Sequence, residues 1–263
     1  MIPKKKMSTD EDWLYALENI ESLVSRSDLE AKISETVQRI KTITRGHRVA
    51  YCWSGGKDAL ALEVLCNKAG IFQGVMVHSE LEYPSFMKWV YENKKPDVAM
   101  YSNGCDLRWL ARNRKYLFAD LLGSETNYGQ NHVRKYQFKY LHDNDLTMLI
   151  VGRRLADGNY CGRRENGFIN YVKGQNALVY SPMAEWSHEE VLALLHYYEI
   201  ELPPFYFWEG GFIAGTHPWF EKRRHLQGEK EHWQFLWKHE PSVVERAASF
   251  FDLAKEVIQG EWT

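Results

Sequence analysis

Apolar positions recur at helical spacing near both ends of this chain and gather into short unbroken runs between them. Trp13, Leu17, Ile20 and Val24 fall 4, 3 and 4 residues apart, on one face of a helix. Ser27-Asp28-Leu29-Glu30 predicts a capping box that opens a second helix, striped by Leu29, Ile33, Val37 and Ile40. From residue 48 the pattern changes. Runs at 48–53, 72–78, 97–101 and 147–152 predict strands, with helices over 58–68 and 133–143. Buried strands alternating with helices predict an α/β protein whose parallel sheet is covered on both faces. Ligands of such sheets bind outside the carboxyl ends of strands, where the strand order switches. The glycine-bearing ends at 53–56 and 151–153 are therefore the expected site.

The last third is less regular. Ser187-His-Glu-Glu190 predicts another capping box, with Val191, Leu194, Leu195 and Tyr198 as the stripe behind it and Pro203-Pro204 as the stop. An aromatic loop, Phe205-Tyr-Phe-Trp208, leads to glycines 210, 211 and 215, and helices are expected over 220–239 and 242–258. No repeat or low-complexity segment interrupts the chain. The organisation expected is an N-terminal helical arm (1–46), an α/β domain (47–219) and a C-terminal helical extension (220–263).

Composition narrows the function classes. The 33 Lys and Arg nearly balance 35 Asp and Glu, for a net charge of −2, which argues against a protein that coats nucleic acid. The arm itself carries eight charges of each sign. It is expected to pack on the main domain or on a second subunit, and Lys4-Lys5-Lys6 to be a solvated tail. No run of about 18 apolar residues predicts a membrane span, and no apolar segment follows the basic N-terminus, so a cytoplasmic protein is expected. Cys52, Cys66, Cys105 and Cys161 form no CxxC pair, which argues against a zinc ribbon or disulfide framework.

Candidate chemistry begins at Ser54-Gly55-Gly56-Lys57-Asp58, between an apolar strand and a helix. Adjacent glycines let backbone amides converge on an anion, and the helix N-terminus adds partial positive charge. Ser54 can donate a hydroxyl, Lys57 suits a phosphate, and Asp58 suits a magnesium ion or a helix cap. The GxxxxGK[ST] spacing of a Walker A loop is absent. A second concentration of anion-binding groups follows the strand end at 152. Arg153, Arg154, Arg163 and Arg164 lie within twelve residues that carry one other charge, Asp157.

Tyr51-Cys-Trp-Ser-Gly-Gly-Lys-Asp-Ala59 resembles the PP-loop, SGGxDS, of the ATP pyrophosphatases and their adenine-nucleotide α-hydrolase-like relatives; SGGKD is the form typical of the phosphoadenosine phosphosulfate (PAPS) reductase-like family. Val77-His-Ser-Glu-Leu-Glu-Tyr-Pro84, Ile150-Val-Gly-Arg-Arg154 and Ser181-Pro-Met-Ala-Glu-Trp-Ser-His-Glu-Glu190 resemble later segments of that family, in order, over about residues 48–219. The resemblance implies a three-layer α/β/α Rossmann-like fold that binds ATP, with Mg2+, or an adenylated sulfonucleotide. It implies that Ser54, Gly55, Gly56 and Lys57 hold phosphates, that the backbone around His78 and Ser79 holds adenine or ribose, and that Gly152 and Arg153 close the other side.

The departures from that family redirect the chemistry. Its reductases use a C-terminal cysteine thiolate, whereas this chain ends in Val-Ile-Gln-Gly-Glu-Trp-Thr263 and has no cysteine after Cys161. Thr216 and Trp219 stand where cluster cysteines would, and 130–135 offers none, so no iron–sulfur cluster is expected. What remains is adenylation, in which an acceptor oxygen attacks the α-phosphate of ATP and pyrophosphate leaves, with Lys57, Asp58 and Arg153 as candidate catalytic groups. The implied acceptor is a nucleic acid or nucleotide. Ala59 replaces the usual final Ser. Two other readings stand beside this one: a sulfonucleotide reductase using an atypical thiol such as Cys161, and a non-catalytic nucleotide-binding partner subunit. His217, His225, His232 and His239, spaced 8, 7 and 7, read as a helix face rather than a metal site. Phe205–Trp208 with Trp219, Phe220 and Lys222-Arg-Arg-His225 reads as a packed lid with a basic turn, or as a stacking wall for a base.

Overall fold

The computed structural model describes residues 1–114, 129–216, 226 and 228–260. Three helices open the chain: α1 (Asp10–Glu18), α2 (Ile20–Leu23) and α3 (Arg26–Ile43). The predicted first helix is thus broken at Asn19. Thr9 caps α1 in a reciprocal box with Asp12. The α3 cap is Ser25, whose hydroxyl accepts from the Asp28 amide at 3.1 Å, two residues before the expected Ser27. A serine three residues ahead of the donor amide is the geometry a cap requires, and Ser25 meets it.

The alternating pattern then yields β1 (Val49–Cys52), α4 (Lys57–Lys68), β2 (Gly74–His78), α5 (Pro84–Asn93), β3 (Val98–Ser102), α6 (Leu107–Arg112), α7 (Lys135–Asp143) and β4 (Met148–Ile150). A hairpin of β5 (Ile169–Val172) and β6 (Ala177–Tyr180) follows. Five further helices follow among the described residues: α8 (His188–Tyr197), α9 (Gly211–Ala214), α10 (Gly228–His239), α11 (Pro241–Ala247) and α12 (Asp252–Ile258).

The six strands form one sheet in the order β3-β2-β1-β4-β6-β5. The pairings of β1 with β2 and β4, and of β4 with β6, are parallel; β5 runs antiparallel at the edge. This is the expected α/β class, a Rossmann-like sheet flanked by helices. The hairpin escaped the sequence pattern because its strands have four residues each and its edge strand is half-exposed. Chain order reverses about β1: β2 and β3 lie on one side, β4 to β6 on the other. The carboxyl ends of β1 and β4 therefore flank the switch point, the place where sheets of this kind bind ligands.

Side chains alternate across the sheet. Ala50 and Cys52 of β1, with Leu149 and Val151, share a core with Phe138 and Leu141 of α7. The opposite side chains, Tyr51, Met148, Ile150 and Tyr180, are also buried, as is the facing side of α4.

The chain divides into two compact units. The first comprises 1–77, 94–101 and 136–215; it holds the sheet and the whole N-terminal arm, with α3 packed on α4 and α8, and α1 on α9. The second comprises 78–93, 102–135 and 216–263, in which α10, α11 and α12 pack on one another. There the Ser85 amide donates to Glu240 Oε1 at 3.1 Å, joining α5 to the residue before α11. The start expected for the first C-terminal helix, and the segment 217–225, lie outside the described residues.

Candidate functional site

The loop between β1 and α4 has the backbone of an anion cradle. Gly55 sits at φ +66°, a left-handed conformation that costs a residue with a β-carbon about 1–2 kcal/mol. Gly56 returns to extended backbone and is the N-cap of α4, without a side-chain cap. Ser54 is exposed. Among the described residues, no protein acceptor is recorded for the amides of Gly55, Gly56, Asp58 and Ala59. The Lys57 amide differs: it donates to the Tyr206 hydroxyl at 2.9 Å. Gly152, just after β4, approaches this turn so closely that a β-carbon there would lie 3.0 Å from the Asp58 carbonyl oxygen. The glycine at the second strand end is thus needed for the two ends to meet.

Beneath the loop is a buried ion cluster. Lys57 is 1% exposed, and its Nζ lies 2.7 Å from Asp58 Oδ2 and 3.8 Å from Asp157 Oδ1. Arg154 is fully buried. Its Nε donates to Asp58 Oδ1 at 2.7 Å, its Nη1 to the Ser187 carbonyl at 2.8 Å, and its Nη2 to Asp157 and His188 Nδ1, each at 3.1 Å. Burial alone would raise the Asp58 carboxyl, but the Lys57 and Arg154 charges override it and hold it well below the usual carboxylate range. Burial, with Arg154 and Lys57 alongside, pushes His188 down to about 3, so its imidazole is neutral.

The N-terminal arm supplies the rest of this cluster. The Trp13 indole lies 5.3 Å from Lys57 Nζ, stacks on Phe212 at 5.0 Å, and meets His188 edge-on at 4.7 Å. Its Nε1–H donates to Ser8 Oγ, which donates to the Lys5 carbonyl, both at 2.9 Å. Lys5 is not part of a solvated tail. It is half-buried beside Lys57, Asp157, Asp58 and Arg154, and burial together with the Lys57 charge pushes its amine down to about 8.

The expected site residues thus separate by role. Ser54, Gly55, Gly56, Lys57 and Asp58 are brought together with Gly152 and Arg154. Arg154 and Lys57, however, spend their donors on protein acceptors. Both Asp58 oxygens are engaged as well, and among the described residues no group of three His, Cys, Asp or Glu could hold a metal. The protein's donor set therefore does not fit a magnesium ion ligated through Asp58. Arg153 is half-buried, with no ion pair among the described residues. Arg163 is exposed, and Arg164 pairs with Glu185, so the four arginines do not act as one loop. His78 ends β2, and its carbonyl accepts from the Asn103 amide at 2.8 Å. The next amide, of Ser79, donates to Glu82 Oε1 at 3.2 Å, and burial pushes that carboxyl up to about 7. These contacts lie within the second unit.

Cys161 is buried, and burial outweighs the Arg153 charge to push its thiol up to about 11. It is not the low-pKa thiol that an atypical reductase would need. Phe205 and Tyr206 are buried and Phe207 is exposed; His217, Trp219, Phe220 and 222–225 lie outside the described residues. His232 and His239 both lie on α10. Asp157, His188, Tyr206, Trp13 and Lys5 were not singled out as site residues by spacing. Asp157 carried the one usable signal, as the lone acid among four arginines.

No protein-family model and no curated protein matches the chain. Among solved structures it is similar to a PAPS reductase from Candida auris in a phosphate complex, at 13% identity and TM-score 0.47, over 68% of this chain and 90% of that one. It is also similar to the U34-tRNA thiolase NcsA of Methanococcus maripaludis with its [4Fe-4S] cluster, at 16% identity and TM-score 0.46, over 88% and 80%. A third is an NAD+ synthetase from Burkholderia pseudomallei, at 13% identity and TM-score 0.45, over 88% and 90%.

Proposed function

We propose that this protein is a PP-loop enzyme of the PAPS-reductase-like kind that binds ATP and activates an acceptor by adenylation. The observation that supports this reading is the turn itself: Gly55 in left-handed backbone, with amides of Gly55, Gly56, Asp58 and Ala59 that have no acceptor among the described residues, at the β1/β4 switch point. Such amides bind a phosphate by charge-assisted hydrogen bonds and stabilise charge that builds on it. Among the described residues the Ser54 hydroxyl and the Arg153 guanidinium have no ion pair or protein acceptor, and we assign them as the side-chain donors to the phosphates. Lys57 and Arg154 act through position, by holding Asp58 and hence the start of α4. The substrate is ATP carrying its own magnesium. In the reaction, an acceptor oxygen forms a bond to the α-phosphorus, the bond to the bridging oxygen breaks, pyrophosphate leaves, and the acceptor proton passes to solvent. A nucleotide or nucleic acid is the acceptor class we favour. The test is pyrophosphate release from ATP and magnesium with candidate acceptors, comparing the wild type with Ser54→Ala and Gly55→Ala. A wild type that binds ATP by calorimetry yet releases no pyrophosphate with any acceptor would leave the non-catalytic nucleotide-binding reading in its place.

A further inference from the structure

We infer that Lys5, brought in by the N-terminal arm, is a phosphate-binding residue of this site. The inference rests on the proposed ATP site and assigns it a residue lying forty-nine positions before Ser54.

The argument is one of charge. Four charged groups act on the Lys5 ammonium: Lys57, Arg154, Asp58 and Asp157. They form two opposite pairs with one another, at 2.7 Å between Lys57 and Asp58 and at 3.1 Å between Arg154 and Asp157. Their charges cancel. His188, in contact with Arg154, is neutral and adds nothing. Glu189, the next acid along, acts on His188 and is not among the charges that act on Lys5. Lys5 is therefore the surplus cation, half-removed from water, with no ion pair among the described residues. An uncompensated charge in such a place is costly, and an anion removes the cost.

Its position is also specified. The turn Lys5–Met7 packs on the turn Leu155–Asp157 that follows Gly152 and Arg153. The Ser8 and Trp13 hydrogen bonds fix its backbone. Gly215 lies alongside: a β-carbon built there would sit 3.5 Å from Lys5 Nζ, an ordinary contact distance. The Lys5 amine thus lies against the loop that carries Arg153, a second cation with no ion pair among the described residues, so both can reach one polyanion at the β1/β4 switch. Phosphate chains of nucleotides and free polyphosphates share this chemistry.

Calorimetry on the full-length wild type, Lys5→Gln and Lys5→Arg, with ATP and separately with inorganic tripolyphosphate, tests the assignment. Lys5→Gln is expected to bind both at least tenfold more weakly, and Lys5→Arg within threefold of the wild type. Without ligand, Lys5→Gln should melt at the wild-type temperature or above it, since it removes an uncompensated charge. A loss confined to ATP would place Lys5 at the nucleoside instead and overturn the phosphate assignment. Lys5→Gln binding both ligands within threefold of wild type overturns the inference and leaves the ATP reading intact. Weaker binding together with a lower melting temperature also overturns it, because Lys5 would then be structural. A wild type that binds neither ligand overturns both.

Discussion

Arg154 reaches back across the sheet end to Asp58, ninety-six residues earlier in the chain, with Nε 2.7 Å from Oδ1 and its guanidinium wholly buried. The contact ties the end of β4 to the first turn of α4 and leaves neither partner free for a ligand. Breaking a buried pair strands a charge, which costs about 3–5 kcal/mol. Arg154→Met is therefore expected to lower unfolding free energy by that amount in urea titrations, whether or not nucleotide is present. An Arg154→Met protein of wild-type stability that had lost only phosphate binding would contradict this structural role.

The same two strand ends meet at Gly152. A methyl group there would lie 3.0 Å from the Asp58 carbonyl oxygen, closer than nonbonded atoms comfortably approach. Gly152→Ala should cost about 1–3 kcal/mol of stability and weaken ATP binding by displacing the loop. Calorimetry and urea unfolding on one preparation would read both effects.

Acid should destabilise the protein through His188. Its ordinary value is 6.5 and its folded value about 3. Between these the unfolded chain binds a proton that the folded chain does not, so stability falls as pH drops, by at most about 1.4 kcal/mol per pH unit. Asp58 acts in the same direction below its ordinary 3.8, since its folded value is lower still. The wild type should lose about 2 kcal/mol between pH 7 and pH 5 from His188 alone. In His188→Asn that increment should vanish from the difference between urea curves at the two pH values.

Tyr206→Phe removes the acceptor of the Lys57 amide. An amide left without a partner in a buried place costs about 1–3 kcal/mol, and differential scanning calorimetry should show the lower melting temperature. Addition of ATP should restore part of it if a phosphate oxygen takes the vacated amide.

All four cysteines are buried and none is in a disulfide, and Cys66 and Cys161 are pushed above their ordinary value by burial. A thiol reagent at pH 8 should label the native chain slowly and the urea-unfolded chain at once. Rapid labelling of a single native cysteine, lost in Cys161→Ser, would restore the atypical reductase reading.

The α/β class, the parallel core strands and the loop at residues 54–58 were legible in the sequence because each follows from local pattern. Buried parallel strands read as apolar runs, and a glycine pair between strand and helix reads as an anion turn wherever it is met. Residue chemistry also showed that no cysteine follows Cys161. Tertiary structure alone decided which charges are free. Lys57 and Arg154 look in sequence like phosphate ligands, but folding places each against a carboxylate, and an ammonium or guanidinium already paired in a buried place has little left to offer. Lys5 looks like a solvated tail residue, yet the arm carries it to a cluster whose own charges already pair with one another. Pairing depends on which segments meet in space, and spacing along the chain does not record that.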